Sequence, residues 1–330
     1  MSDTTSKSDT QTIGFLLLPR FSMMAFVSAV EPLRVANRLG ERSLYRWEIL
    51  AMAGKTVDAS NGMSLLADGT VPAKSRYAAL VVCAGFEPER HYSRKLADWL
   101  HRLDRLGVRI GAMDTGSFLV ARAGLLNGYR ATTHWESLDG FRERFPKVEV
   151  ESGVYVIDRN RFTCAGGTAA LDMMLHFITV QHGHRLAAAV SEQFIHARIR
   201  DPQDRQRMEL SARQGISNAS LTQAIAIMEG NLEEIVTSRA ICIAAGVSQR
   251  QLERMFRRHL GMTPWQYYLQ LRWQRARALL QYSDLPVVEI AIACGFGSAA
   301  HFSRSYKGWA GHAPSAERTR QEAGITPSLR

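Results

Sequence analysis

The segment GAMDTGSF (111–118) places a carboxylate where a short apolar run gives way to a turn of small residues. Asp114 could act there in two ways. It could cap the helix that the turn opens, because Asp is a favoured N-cap and suits the positive end of the helix dipole. It could also present an oxygen to a cationic ligand, and one carboxylate can do both.

Two matching segments near the C-terminus hold a second set of candidate residues. They are CIAAGVSQRQLERMFRRHLGMTP (242–264) and AIACGFGSAAHFSRSYKGWAGHAP (291–314). In each segment a helix ends at a glycine, Gly246 or Gly295, and a second helix begins after a serine that can cap it. This repeated pattern predicts a pair of helix-turn-helix motifs.

Helical spacing gives the second helix of each copy an inner and an outer face. The inner residues are Leu252, Met255, Phe256 and His259 in the first copy, and Phe302, Tyr306 and Trp309 in the second. The outer faces are basic and hydrogen-bonding, which suits the reading of base edges in the major groove. The outer residues are Arg250, Glu253, Arg254, Arg257, Ala299, Ala300, His301, Arg304 and Lys307.

Asp114 must be positioned by the first 200 residues, in which strand patterns alternate with helix patterns. The apolar runs are 12–18, 77–83 and 108–113, and the amphipathic stretches are 22–39, 94–106 and 167–183. Short apolar runs that alternate with helices are typical of parallel strands covered on both faces. We therefore predict an α/β domain with a flavodoxin-like, doubly wound sheet.

The second set of residues is positioned by an almost wholly helical region. Between the two copies, Thr263-Pro264 begins a helix that runs to about Tyr282 and spans roughly 27 Å. That length could place both outer faces about one DNA turn apart. The predicted organisation is a disordered segment over 1–10, an α/β domain over 11–200, a polar linker over 201–217 and an all-α domain with two helix-turn-helix motifs over 218–330.

Composition narrows the class of protein. The 330 residues suffice for two domains, and the N-terminus shows neither a signal pattern nor a membrane-spanning run, so we expect a cytoplasmic protein without a membrane partner. The four cysteines lack metal-ligand spacing, so we expect buried thiols, no metal and no cofactor. From Arg239 to Arg330 there are thirteen Lys and Arg against five Asp and Glu, which suits a polyanionic partner.

Residues 217–320 resemble the double helix-turn-helix DNA-binding domain of the AraC/XylS-family transcription regulators. The carriers include Gly246-Val247-Ser248, Gly261-x-x-Pro264, Gly295-Phe296 and Phe302-Ser303-Arg304. The resemblance implies double-stranded DNA, RNA polymerase and a second copy of the chain as partners. It also implies base contacts from Arg250, Glu253, Arg254, Ala299, Ala300, His301 and Arg304, and phosphate contacts from Arg258 and Lys307.

Residues 11–200 resemble the PfpI/ThiJ-like branch of the class I glutamine amidotransferase fold, as found in GlxA-type AraC regulators. The carriers include 111–116, 123–128, 131–135 and 163–168. Enzymes of this fold carry a cysteine on the strand-to-helix elbow, a nearby glutamate and a downstream histidine. The matching positions here are Asp114, Glu31 and His134, so only the nucleophile is replaced.

A carboxylate cannot perform thiolate chemistry, so the resemblance implies a ligand sensor in place of an enzyme. The predicted ligand site is the crevice at the carboxyl ends of the strands, with negative charge from Asp114 and Glu31. Its polar and aromatic walls would be His134, Trp135 and Phe118. Such a site suits a small cation, either a guanidinium or amine or a quaternary ammonium.

Phrases such as AFVSAVEPLRVANR, ATTHW and AGGTAALDMML are most similar to regulators of carnitine and glycine betaine catabolism, followed by arginine-responsive regulators. This similarity implies a transcriptional activator with a small nitrogenous effector. Carnitine or glycine betaine is the favoured effector, and arginine is the alternative. Two other classes remain open. One is a PfpI-like hydrolase or amidotransferase fused to a DNA-binding module, and the other is a constitutive DNA-binding protein with a vestigial first domain.

Overall fold

The computed structural model describes residues 10–71, 76–208, 215 and 218–322, with side chains described to Arg318. Most of the N-terminal segment predicted to be disordered, and residues 209–214 and 216–217 of the predicted linker, lie outside this part. Backbone contacts divide the chain into two compact units after Gln206. The first six residues of the predicted linker therefore belong to the first unit, where the Val154 N–H donates to the Asp204 carbonyl at 3.1 Å.

A seven-stranded sheet forms the centre of the first unit, in the order β10-β11-β7-β6-β1-β2-β5. All neighbouring pairs are parallel except β10 and β11. The central strands are buried on both faces, as their continuous apolar runs predict. The strands of this sheet are β1 Gln11–Leu17, β2 Tyr45–Ala51, β5 Gly69–Thr70, β6 Ala79–Cys83, β7 Arg109–Met113, β10 Tyr155–Asp158 and β11 Arg161–Cys164. The hairpin β3 Thr56–Asp58 with β4 Ser64–Leu66 and the pair β8 Arg130–Ala131 with β9 Glu149–Val150 lie outside it.

Helices cover the sheet and connect its strands, so the predicted α/β fold is confirmed. The core on one side joins strand residues such as Phe15 and Leu17 to apolar residues of α1, α5 and α6. The helices of the first unit are α1 Met23–Leu39, α2 Arg94–Arg105, α3 Gly116–Arg122, α4 Leu138–Arg144, α5 Ala169–His182 and α6 His184–Gln193, with a 3₁₀ helix over Pro88–His91.

The second unit is helical and contains both predicted helix-turn-helix motifs. Its described helices are α7 Ala219–Gly230, α8 Ser238–Ala245, α9 Gln249–Leu260, α10 Pro264–Tyr282, α11 Val287–Ala293, α12 Ala299–Ala310 and α13 Pro314–Glu322. The turns pass through Gly246 (φ 67°) and Gly295 (φ 71°), a left-handed conformation that glycine adopts without steric cost.

Each motif has its own core, and α10 belongs to both. Leu252 and Phe256 pack in the first core, and Phe302 and Tyr306 in the second, as predicted. His259 is exposed, so the prediction that it packs inward is wrong; it lies in the last turn of α9, beyond the buried pair.

Arg272 of α10 connects that long helix to the second turn. Its side chain is buried, and its Nε donates to the Cys294 carbonyl at 2.5 Å. The guanidinium also lies 4.1 Å from the centre of the Phe296 ring. Burial lowers the pKa of Arg272, and the carbonyl and the aromatic face offset the lost hydration. Across the described residues, we find no helix whose length and apolar content would let it span a membrane.

Candidate functional site

A sharp elbow joins strand β7 to helix α3, and Asp114 lies on it. The residue has a left-handed backbone (φ 57°), which is unfavourable for a side chain other than glycine. Two hydrogen bonds hold it there. The Asp114 N–H donates to the Cys164 carbonyl at 3.0 Å, and the Thr133 hydroxyl donates to the Asp114 carbonyl at 2.9 Å.

Close backbone packing fixes the start of α3 behind the elbow. A Cβ at Gly116 would lie 2.2 Å from the Val82 carbonyl oxygen, so only glycine fits against strand β6. The N-cap residue of α3 is Thr115, whose hydroxyl donates to the Gly85 carbonyl. Asp114 precedes the N-cap, so helix capping in the usual position does not explain this aspartate.

The Asp114 side chain faces the loop that precedes α5. A Cβ at Gly166 would lie 2.9 Å from the Asp114 Oδ2, and Gly166 has a φ of 88°. Position 166 therefore requires glycine for two reasons: its backbone is left-handed, and a side chain there would occupy the space of the Asp114 carboxyl group. Asp114 thus lies between two loops, which we call the crevice walls: residues 132–136 and residues 165–168.

Burial raises the pKa of Asp114 to about 7, and the charge of Glu136 acts in the same direction. The hydrogen bond from the Thr115 backbone opposes them. Asp114 as a whole residue is half-buried, so part of it reaches the surface of the unit. Near neutral pH the Asp114 carboxyl group is therefore present in both its charged and its protonated form. A cation placed beside it would stabilise the charged form.

The 132–136 wall contributes a histidine, a tryptophan and a second acid. His134 and Trp135 have ring centroids 5.5 Å apart, and 38% of the Trp135 surface is exposed. Burial lowers the pKa of His134 although the Glu136 charge opposes this, so the imidazole is neutral at pH 7. This wall therefore combines a partly exposed tryptophan with a carboxylate, and aromatic rings and carboxylates are the groups that bind cations.

Glu31 and Phe118 lie elsewhere than the sequence predicts. Glu31 follows the first residue of α1, Met23, by eight positions, which is about 12 Å along the helix axis. The helix runs back from the carboxyl ends of the strands toward their amino ends, so Glu31 lies away from the elbow. Its carboxylate accepts from Arg34 at 2.6 Å. Phe118 is 1% exposed and packs against Phe141, with centroids 4.8 Å apart, so it belongs to the core and is not a crevice wall.

Two thiols flank the elbow inside the sheet. Cys83 and Cys164 pair in register with Met113 from opposite sides, and both are buried. Burial raises the pKa of Cys83 well above its ordinary value and that of Cys164 to about 12. Both are thus protonated thiols in the core, and neither replaces the missing nucleophile at position 114.

Helices α9 and α12, which we call the reading helices after their predicted role, have outer faces that are open to solvent. A capping box fixes the start of α9, because Gln251 and Ser248 exchange side-chain-to-backbone hydrogen bonds. Ser298 caps α12. Of the residues predicted to contact DNA, Ala299 is half-buried and the others are exposed. The exposed residues are Arg250, Glu253, Arg254, Arg258, Ala300, His301, Arg304 and Lys307.

Glu136 is the site residue that sequence reasoning missed. It stands two positions after His134, so its nearness to a predicted wall was the available signal. The closeness of Glu136 to Asp114, 22 residues earlier in the chain, depends on how the loop after β8 folds back over the elbow.

Comparison with known proteins gives matches for both units. Residues 12–180 match the DJ-1/PfpI family, and residues 241–320 match a helix-turn-helix domain. Over 93% of its length the chain is 49% identical to the HTH-type transcriptional regulator CdhR of Pseudomonas aeruginosa, covering 91% of that protein. It is 44% identical to the HTH-type transcriptional regulator GbdR of the same species, over 95% of this chain and 86% of the relative.

Among solved structures, an AraC family transcriptional regulator from Pseudomonas putida is 28% identical. The similarity covers 56% of this chain and 99% of that chain, with a TM-score of 0.52.

Proposed function

Because the chain belongs to the AraC-type regulators that join a DJ-1/PfpI-family domain to a helix-turn-helix domain, we propose that its first unit senses a small nitrogenous cation. The relatives with high identity are transcriptional regulators, so the chain as a whole is a DNA-binding regulator. The observation that carries the proposal is the half-buried Asp114 on the elbow, near the loop that holds the partly exposed Trp135 and the acid Glu136.

The chemistry of this crevice favours a quaternary ammonium compound such as glycine betaine or carnitine. A quaternary ammonium cannot donate hydrogen bonds, so an aromatic face and a nearby negative charge are its usual partners. Trp135 can supply the face and Asp114 the charge. A guanidinium or amine effector is the second candidate, because Asp114 and Glu136 together offer two carboxylates as hydrogen-bond acceptors.

The remaining roles follow from the regulator class. We propose that the protein acts in the cytoplasm as a homodimer and as an activator that contacts RNA polymerase. Arg250, Glu253, Arg254, Ala299, Ala300, His301 and Arg304 are the proposed base readers, and Arg258 and Lys307 the proposed phosphate contacts. An effector can change transcription only if it binds two arrangements of the protein with different affinities.

A calorimetric and thermal-shift screen of the full chain tests the effector proposal. The probes are glycine betaine, carnitine, choline, L-arginine and a polyamine. A probe present at 100 times its dissociation constant stabilises the folded state by about 2.7 kcal/mol, which is a readily measured shift. We expect a stabilising quaternary ammonium compound whose effect disappears in Asp114→Asn and Trp135→Ala.

Trp265→Ala is the matched control, because Trp265 is an exposed tryptophan of the second unit (55% exposed). Its ligand response should equal that of the wild type. If none of the probes stabilises the wild type, the sensor proposal fails and the constitutive DNA-binding alternative gains. Stabilisation by arginine alone would transfer the proposal to the guanidinium class.

The enzyme alternative has a direct assay. Because Asp114 replaces the nucleophile and the neighbouring thiols are buried, we expect no turnover of amides, peptides or glyoxals by the pure protein. Turnover that disappears in Asp114→Asn or Cys83→Ser would overturn the proposal that the first unit only binds.

A further inference from the structure

The last residues of the first unit form what we call the exit strap, residues 196–206, which leads into the second unit. Its first half is tied to a buried carboxylate on α5. Asp172 has no exposed surface and accepts from the His196 ring at 2.8 Å and from both the backbone N–H and the Nε of Arg200 at 2.8 Å. The strap is therefore part of the folded unit and not a free linker.

Arg200 also reaches one wall of the crevice. Its Nη2 donates to the Thr168 hydroxyl at 2.7 Å. Thr168 is the last residue of the 165–168 wall. The Asp114 carboxyl group packs against Gly166 of the same wall. The first half of the strap thus contacts the 165–168 wall directly.

Gln206, the last residue of the unit, reaches the opposite wall. Its Nε2 lies 3.0 Å from the Thr132 hydroxyl, 3.0 Å from the Thr133 carbonyl and 2.9 Å from the Gly153 carbonyl. Two of these three partners are carbonyls, which can only accept, so the amide nitrogen must face them. Thr133 in turn holds the Asp114 carbonyl, and His134 and Trp135 follow it in the chain.

The other end of the same amide is poorly satisfied. The Gln206 Oε1 is buried and has no hydrogen-bond donor among the residues that the structure describes. The three partners around Nε2 fix which way the amide points, so its donor end is the end that holds the wall.

We propose that Gln206 is a positioning residue of the crevice, and that the exit strap couples the arrangement of both walls to the chain leading into the DNA-binding unit. The inference rests on the proposed function only in taking the crevice as the effector site. A ligand that prefers one arrangement of the walls must then prefer one arrangement of the strap, and the converse holds by linkage. The strap is thus the route by which binding at Asp114 reaches the second unit.

Hydrogen exchange of the full chain, measured by mass spectrometry without ligand, tests the coupling. The variants are Gln206→Ala, which removes the donor, and Gln206→Glu, which places an acceptor opposite the two carbonyl oxygens of Thr133 and Gly153. Gln203→Ala is the matched control, because Gln203 is an exposed glutamine of the same strap. We expect exchange in peptides covering 130–137 to become about five to ten times faster in both Gln206 variants and to stay unchanged in the control.

Exchange at 130–137 that is equal in the Gln206 variants and in Gln203→Ala would overturn the proposal, whatever the effector is. A second measurement uses DNA fragments selected from random sequence, with 10 mM glycine betaine as the probe. In the wild type we expect the probe to change DNA affinity at least fivefold, and in Gln206→Ala less than twofold. A wild type that does not respond to the probe counts against the proposed effector class, and the exchange result still decides the role of Gln206.

Discussion

The crevice and the reading helices both depend on polar side chains, but they hold them in opposite ways. Asp114 is half-buried and has a left-handed backbone, and two loops from distant parts of the chain hold it in place. Arg254 stands on a regular, capped helix, exposed to solvent. The contrast predicts recognition by a preformed shape in the first unit, and recognition by charge and adaptable donors in the second.

The difference predicts where each region is sensitive to change. In the crevice, residues that never touch a ligand should matter as much as those that do, because they maintain the strained elbow. On the reading helices the outer residues should be replaceable without loss of folding, and only DNA binding should change. Four experiments, from the largest expected effect to the smallest, test this contrast.

Gly166→Ala should have the largest effect. The new Cβ would lie 2.9 Å from the Asp114 Oδ2 in a backbone with φ 88°, so we expect a loss of about 3 kcal/mol of stability in the first unit, from the contact and the strained backbone together. Denaturant unfolding followed by hydrogen exchange in the first unit measures it.

Gly167→Ala is the control for that substitution. Gly167 also has a positive φ (54°), but nothing lies within 4 Å of its added Cβ, so we expect a cost of about 1 kcal/mol. Equal losses at the two positions would show that the Asp114 carboxyl group is not packed against the loop as described.

Asp114→Asn should change the pH dependence of the first unit. The folded state raises the pKa of Asp114 to about 7 from 3.8, so it binds the proton more tightly than the unfolded state does. Stability should therefore fall as pH rises from about 4 through about 7 and then stay level. Three pKa units correspond to about 4 kcal/mol, which partial exposure reduces to about 2 kcal/mol.

Thermal unfolding of the wild type and of Asp114→Asn between pH 5 and pH 8 gives the measurement. The variant should lose the decline and be the more stable protein at pH 8. Parallel curves for the two proteins would contradict a buried, titrating carboxyl group at this position.

Arg254→Ala should leave the second unit folded and weaken binding to selected DNA by about 1.5 kcal/mol, because a bidentate contact to a guanine edge would be lost. Fluorescence anisotropy with the preferred sequence and with single-base variants measures the loss and its position. Arg304 occupies the equivalent place in the second copy, and its replacement should relax a different base position. A reduction that is the same for every sequence would make Arg254 a phosphate contact.

Lys307→Ala should have the smallest effect, about 0.5 to 1 kcal/mol, equal for all sequences and accompanied by a shallower dependence on salt. The measurement is a salt titration of binding to specific and random DNA. A change in base preference with an unaltered salt slope would reverse the assignments of Lys307 and Arg254.

The two regions also differ in how far their sequences predict them. The helix-turn-helix motifs are local: the glycine at the turn, the serine cap and the inward apolar residues lie within some twenty residues, so helix geometry alone predicts the exposed face. The one error there, His259, arose because periodicity does not say where a helix leaves its core.

The crevice is non-local, and its prediction was partial. Asp114 and the loop that carries His134 and Trp135 lie together because strand ends of a parallel sheet meet at one edge, which the alternation of strands and helices already implies. Glu31 and Phe118 were predicted there wrongly. The first follows a helix away from that edge, and the second turns into the core between α3 and α4.

By itself the sequence determined the two-domain organisation and the exposed basic faces of the two helices, because these depend on residue types at short spacing. Its resemblance to a known fold implied that Asp114 stands at the position of a nucleophile. Only the tertiary structure decided that Gly166 makes room for the Asp114 carboxyl group, that Glu136 is its acidic neighbour and that Gln206 holds the 132–136 wall. Those contacts join residues 22 to 74 positions apart. No local pattern encodes them, since they form only when the strands and loops of the whole unit have packed.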